Sequence, residues 1–375
     1  MRSTLKTFVL TIGFLILLDG LVALLLQGPA PASLKGFFDY GASVPGKIAQ
    51  MKQHPGAPGN LLAVAWLPDV IEESAVGFKA EASDEAPVMR VYGMSFAADI
   101  AHGAQTHRPD MLVDVHGGPN APPNFSYEVF LEDRQNRKPG DVAVLGILSS
   151  TTAAMSSYSN RVWAFEQPAP YTYPVFWPEG ADGLRADGPV LQSLSEEIAL
   201  EAHPDLVAKW HRQLREKDGL YSESAFALPV LDASPFARLI RRALAVQSIK
   251  EKEQDINSGK GSDPYPYQEV LRRMVRDFSE TARADQQIPV VLLIQTRNSQ
   301  DPDLRQIFAE YLKANDIPFV ATTDLQSIRD PSAFYGDGHY TGNTNKKFGQ
   351  SLLDVIDREA SRSVSMTRVP YSAVN

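Results

Sequence analysis

Val142-Ala143-Val144-Leu145-Gly146-Ile147-Leu148 is a run without one polar side chain. A strand with one wet face would alternate; a strand buried on both faces of a parallel sheet would not. Pro139-Gly140 marks a turn before the run, and Ser149-Ser150-Thr151 ends it. Residues 290–295 form a second run of the same kind far downstream. Upstream, 88–92 reads as a strand ended by Gly93, 96–105 as a helix, and 111–116 as a strand. Gly117-Gly118-Pro119-Asn120-Ala121-Pro122-Pro123 stops that strand, and Asn124 is a good N-cap for a helix to about residue 137. Downstream, Asp301-Pro302 supplies the cap and first residue of a helix to about 314. A short strand at 317–321 and a closing helix at 345–362 follow. Strand–helix alternation on both sides of the chain predicts an α/β fold, a three-layer α/β/α sandwich around a central parallel sheet.

The alternation lapses between 151 and 287. Residues 157–177 are rich in aromatics, among them Tyr158, Trp163, Tyr173, Phe176 and Trp177. Three helices are expected after them, over 195–214, 234–252 (Ser234 as cap, Pro235 at the first position) and 267–284. The block reads as an insertion or cap on the sheet. Its aromatics either stack on sugar rings or pin the insertion down, the second being the plainer reading.

Composition narrows the classes. In 375 residues, 43% hydrophobic and 22% charged is a globular balance with ample material for a core. The formal charge of −9, with no basic run, argues against a nucleic-acid binder. With no cysteine, disulfides, thiolate catalysis and cysteine metal sites are excluded. His102, His107 and His116 have no metal-ligand spacing, so neither metal nor cofactor is expected.

The N-terminus carries Arg2 and Lys6, then an almost wholly apolar run to Leu26 broken by Asp19. About 20 such residues span a bilayer, which is long for a cleavable signal peptide. Pro29-Ala30-Pro31-Ala32-Ser33 offers small residues for cleavage, yet an uncleaved signal anchor is the favoured reading. The basic flank stays cytoplasmic and the bulk of the chain lies outside. Asp19 calls for a partner helix or a place near the interface. The expected plan is an anchor (1–27), a juxtamembrane segment and loop (28–86) with a short helix near 46–52 and an apolar element at 61–70, a first catalytic half (87–150), the insertion (151–287), a second half (288–362) and a tail (363–375).

In a parallel sheet, sites form at the carboxyl ends of strands. Ser95, Asn120, Ser150, Arg297 and His339 all fall at or after such ends. A serine hydroxyl needs a base to take its proton, and the base needs an acceptor that fixes its tautomer. Ser95, His339 and Asp337 supply one of each. Donors for an oxyanion would be the N–H of Ser95, an N–H within 117–120, and Ser150. Arg297 is a candidate for an anionic sugar, Asn124 and Trp163 for further substrate contact.

These pieces, in this order, resemble the SGNH (GDSL-type) hydrolases, a superfamily of serine esterases and carbohydrate O-acyltransferases. The resemblance covers roughly 88–150 and 290–362. Gly93-Met94-Ser95-Phe96 resembles the Gly-Asp-Ser block with Met94 in place of aspartate, and this implies Ser95 as nucleophile. His116-Gly117-Gly118-Pro119-Asn120-Ala121 resembles the second block and implies Asn120, or else Gly118, at the oxyanion. Ser150 stands where the third block has asparagine. Asp337-Gly338-His339-Tyr340 is similar to the Asp-x-His-Trp form of alginate O-acetylation proteins, implying Asp337 and His339 as the remaining triad.

The resemblance implies a flavodoxin-like SGNH fold. The signal anchor and the absence of cysteine lead to the expectation of a single-pass protein of a bacterial inner membrane, its catalytic domain in the periplasm or outside. The expected function is an esterase acting on O-acyl groups, O-acetyl first among them, of an envelope polysaccharide or exopolysaccharide or of a small ester, working beside polysaccharide machinery. A polysaccharide O-acetyltransferase using the same triad, or a non-catalytic carbohydrate-binding scaffold, are the alternatives.

Overall fold

The computed structural model describes residues 2–27, 87–118, 121–158, 173–191, 202–223, 233–260 and 264–367, with positions 53, 196 and 199. The elements expected near 46–52 and 61–70, and the site candidates Asn120 and Trp163, lie outside them.

Five parallel strands form the central sheet: β1 (Val88–Gly93), β2 (Leu112–Gly117), β3 (Val142–Leu148), β6 (Ile288–Ile294) and β7 (Phe319–Ala321). Their order is β2-β1-β3-β6-β7. β1 and β3 are buried along their whole length, as the unbroken apolar run of β3 requires. Helices α2 (Ser95–Gln105) and α8 (Gly342–Thr367) pack on each other and on the sheet. A second group, α3 (Pro123–Glu132), α6 (Tyr267–Ala284) and α7 (Leu304–Ala314), packs together and against the sheet.

Between β3 and β6 stand a hairpin, β4 (Val175–Glu179) and β5 (Gly183–Asp187), and two further helices, α4 (Pro204–Lys217) and α5 (Pro235–Ser258). The hairpin lies in the aromatic stretch, where the sequence offered no strand alternation. Its aromatics are pins: Tyr173 packs on Phe125, Phe176 on Tyr127, and Trp177 on Tyr265. α6, grouped with the insertion by sequence, lies against β3 and β6 as part of the sheet's own helix layer.

Several helix boundaries differ from those the sequence suggests. Asn124 does not cap α3. The helix begins at Pro123, and the buried Asn124 amide donates to the carbonyls of Met155 and Pro174 at 3.3 and 2.8 Å. α7 is capped by Asp303, which accepts from Gln306 N–H at 2.9 Å, rather than by Asp301. Ser234 caps α5 as expected, accepting from Ala237 N–H at 3.1 Å.

Arg90, in the middle of β1, is almost fully buried. Its guanidinium reaches Asp114 at 2.9 Å, Asp141 at 3.2 Å and Asp133 at 3.5 Å, and donates to the Asn136 carbonyl at 2.7 Å. Parallel register sets Arg90 beside Asp114 and Tyr92 beside His116. Tyr92 donates to Asp133 at 2.7 Å; burial raises its pKa well above the ordinary phenol value, so it stays a donor. His116 is thus a core residue, bonded to Asp114 at 2.7 Å and stacked on Tyr92. Among the described residues no group of three acidic or histidine side chains could hold a metal.

Removing one partner of a buried ionic cluster leaves uncompensated charge. Arg90→Met should cost about 3–5 kcal/mol in reversible denaturation, because three carboxylates lose their cation.

Glu128 of α3 gives a second test. Burial, then the nearby Glu132, raises its pKa from 4.5 to about 7. The folded state therefore holds this proton more tightly than the unfolded chain. Its contribution is fully present below pH 4.5 and is lost as pH rises towards about 7. Glu128→Gln should raise Tm relative to the parent above pH 7 and change it little at pH 4.5; thermal scans across that window check this.

Candidate functional site

The sheet order reverses at β1, which has β2 on one side and β3 on the other. Ligand crevices in open α/β sheets form at such a switch point, beyond the carboxyl ends of the strands. A cavity of about 580 Å³ lies there. It is lined by the loop after β1 (Gly93, Met94, Ser95, Phe96, with Ala98 on α2), by Val115, Gly117 and Gly118 of β2 and its exit, by Leu148, and by His339.

Small residues let α2 start so close to the sheet. A methyl on Gly93 or Gly146 would stand 2.8 or 2.7 Å from the Ala97 side chain. One on Gly117 would stand 1.7 Å from the Gly93 carbonyl oxygen. Ser95 is the first residue of α2, with Met94 at the cap position. Its side chain is exposed, and its N–H is one of those that no carbonyl of the helix can accept.

His339 arrives from a tight loop before α8. Tyr335 N–H donates to the His339 carbonyl at 2.7 Å, and Thr341 N–H to Ala333 at 2.8 Å. Gly338, at φ +96°, takes the left-handed conformation that this reversal needs. Tyr340 pins the loop. It is buried, donates to the Gln295 carbonyl at the end of β6, bonds Thr322 at 3.2 Å, and stacks on Phe334. Phe96 lies flat on the His339 ring, centroids 4.5 Å apart and planes within 17°, and meets Tyr340 edge-on.

The structure brings Ser95, His339 and Asp337 together across 244 positions of sequence. Ser95 Oγ lies 2.8 Å from His339 Nε2. His339 Nδ1 lies 3.4 Å from Asp337 Oδ2, while Asp337 Oδ1 accepts from the His339 backbone N–H at 3.0 Å. That backbone bond comes first among the causes that hold the Asp337 carboxyl below its ordinary pKa. The turn role and the ring-facing role of Asp337 therefore coexist, one oxygen to each. With a proton on Nδ1, the free Nε2 can take a proton from Ser95 Oγ. The Ser95 N–H stands at the positive end of α2, where a developing negative charge is favoured.

The remaining candidates separate. Gly118 lines the cavity. Ser150 sits in a short turn after β3 (Ser149–Thr151), half-buried, and does not line the cavity. Arg297 is exposed in the loop after β6, also outside the lining. Asn124 is buried and committed to backbone carbonyls.

Two contributors escape sequence reading. Phe96 orients the imidazole by stacking, which no spacing announces. Asp99 stands one turn after Ser95 on α2, and burial raises its pKa. The i, i+4 spacing from Ser95 was the available signal. No protein-family model matches the chain, and neither the curated proteins nor the solved structures include one with significant similarity to it.

Proposed function

We propose that this protein is a serine esterase of the SGNH type, held at a membrane by α1 (Arg2–Gln27) and acting outside the cytoplasm on O-acyl groups of a carbohydrate polymer. The observation that carries the reading is the 2.8 Å contact between Ser95 Oγ and His339 Nε2 at the carboxyl end of β1. The sheet order and the positions of Gly118 and the closing helix support the same assignment.

Ser95 Oγ attacks the ester carbonyl carbon while its proton passes to His339 Nε2. The carbonyl oxygen becomes an oxyanion, received by the N–H groups of Ser95 and Gly118. When the tetrahedral adduct collapses, the bond to the leaving alcohol breaks and that alcohol takes the proton from Nε2. Water, its proton accepted by His339, then attacks the acyl-enzyme; the bond to Ser95 Oγ breaks, Oγ takes the proton back from Nε2, and a carboxylic acid leaves. Met94, Phe96, Ala98, Val115 and Leu148 make the cavity wall apolar, which suits a small acyl chain. Ser95 and Asp337 are exposed and His339 is partly so, which suits an ester carried on a bulky polymer better than a substrate that must be engulfed. A sugar hydroxyl in place of water would make the same machinery an O-acyltransferase. The open approach to Ser95 among the described residues favours water.

Ser95→Ala should lower kcat on an activated acetyl ester by about 10⁴-fold or more and abolish fluorophosphonate labelling. Turnover equal to the parent would sink the proposal. Asp337→Asn should be milder by roughly a hundredfold, because the serine–imidazole pair remains intact and the carboxylate is solvent-exposed. The comparison of the two kcat values, at unchanged circular dichroism, checks the ranking.

A further inference from the structure

The apolar segment of α1, Thr4–Leu25, is 22 residues long. At 1.5 Å per residue it reaches about 33 Å, enough to cross a bilayer. Most of it touches nothing: residues 4–17 are exposed all round. Only one stripe near its end, Leu18, Asp19, Val22 and Ala23, is covered. The cover is α5. Asp19 Oδ1 accepts from Ser234 Oγ at 2.7 Å and from Phe236 N–H at 2.9 Å. A carboxylate of the apolar helix thus receives one of the free N–H groups that open α5, that of Phe236, and the Ser234 hydroxyl completes the join.

α5 has two sides. Arg241, Ala245, Ile249 and Ile256 recur at helical spacing and are buried. The described exposed residues change character along the helix, with Arg238 half-buried and the side chain of Arg242 outside the described residues. Ile240, Ala243, Leu244 and Val246 are exposed and apolar; Gln247, Lys250, Glu251, Gln254, Asp255 and Ser258 are exposed and polar. Outside α1, the large hydrophobic side chains exposed among the described residues are Ile240, Leu244, Val246 and Tyr335. Three of the four therefore sit in two turns of a single helix, the helix joined to α1.

We propose that the first three turns of α5 rest in the lipid beside α1, with Ile240, Ala243, Leu244 and Val246 as the lipid-facing surface and Gln247 as the point of exit. Lipid is the occupant for two reasons. The apolar patch is continuous with α1, so hydrocarbon that surrounds one reaches the other. The switch from apolar to polar also falls along the helix axis, between Val246 and Gln247, as a bilayer boundary would cut it; a protein groove would select a face along the whole helix. Arg241 is turned inward, away from that surface. Asp19 lies six residues before Leu25, so Ser234 meets α1 about 9 Å inside the end of the apolar segment. The proposal rests on α1 being in the membrane and is independent of the esterase reading.

The chain has no cysteine, so single cysteines report cleanly. Ile240→Cys, Leu244→Cys, Glu251→Cys and Gln254→Cys, each labelled with a polarity-sensitive fluorophore, would be placed in phosphatidylcholine nanodiscs at one chain per disc. Leu10→Cys serves as a marker for α1. Nitroxide-bearing lipid should quench probes at 10, 240 and 244 at least twofold more than those at 251 and 254, and aqueous iodide should do the reverse. Iodide quenching at 240 and 244 equal to that at 251 overturns the proposal, as does insensitivity of 240 and 244 to both quenchers, which would mean cover by protein. If the probe at 10 is not quenched by lipid, the premise about α1 falls and the proposal falls with it.

Discussion

Where α2 crosses α8, the two backbones touch. A methyl on Gly349 would stand 2.1 Å from the Ala104 nitrogen, and one on Gly103 would stand 2.3 Å from the Asn345 carbonyl oxygen. Neither helix could sit where it does with any other residue at these positions. α2 begins at Ser95, and α8 begins three residues after His339. The crossing therefore fixes the distance between a hydroxyl and an imidazole that the chain itself leaves far apart. Loop 333–341 and the Tyr340 pin then refine the position of the ring. A backbone contact sets the frame, and side chains adjust within it.

Under this frame lies a core that is not purely apolar. Arg90 and its three carboxylates lie in the interior beside β1, where an apolar residue would ordinarily pack. Such a cluster adds little stability over hydrophobic packing, yet it is costly to break. Its geometry ties β1 to β2 through Asp114, to the end of α3 through Asp133, and to the start of β3 through Asp141. The carboxyl ends of β1, β2 and β3, the strands joined in this way, line the cavity. The polar cluster sits below the site and holds its three walls in one register.

Much of this was legible in the sequence, and the reason differs by element. β3 and β6 were readable because burial on both faces removes every polar side chain from a strand. That Ser95, Asp337 and His339 come together was readable because a hydroxyl, an imidazole and a carboxylate at strand ends are what nucleophilic hydroxyl chemistry would need. Asn124 was misassigned because an amide before a helix looks the same whether it caps the helix or crosses to another chain segment. Ser150 and Arg297 were placed by strand end alone, and a strand end does not say which way the next residue turns. The β4–β5 hairpin went unseen because its aromatic residues are selected for packing on α3, not for alternation. α6 was set aside with the insertion because its sheet-facing stripe says nothing about which sheet it faces.

The two proposals meet at one edge of the sheet. α5 runs from the level of Asp19 to Asn257, whose side chain accepts from Thr152 Oγ1 at 2.9 Å. Thr152 belongs to the turn that leaves the carboxyl end of β3, the same edge on which Ser95 stands. From Gln247 to Asn257 the helix rises about 15 Å. With residues 236–246 in lipid, α5 is a strut that holds the carboxyl edge of β3 no more than that height above the bilayer boundary. A rigid helix sets that limit. The catalytic edge would then work on polymer that is still close to the membrane surface, before it diffuses into the envelope.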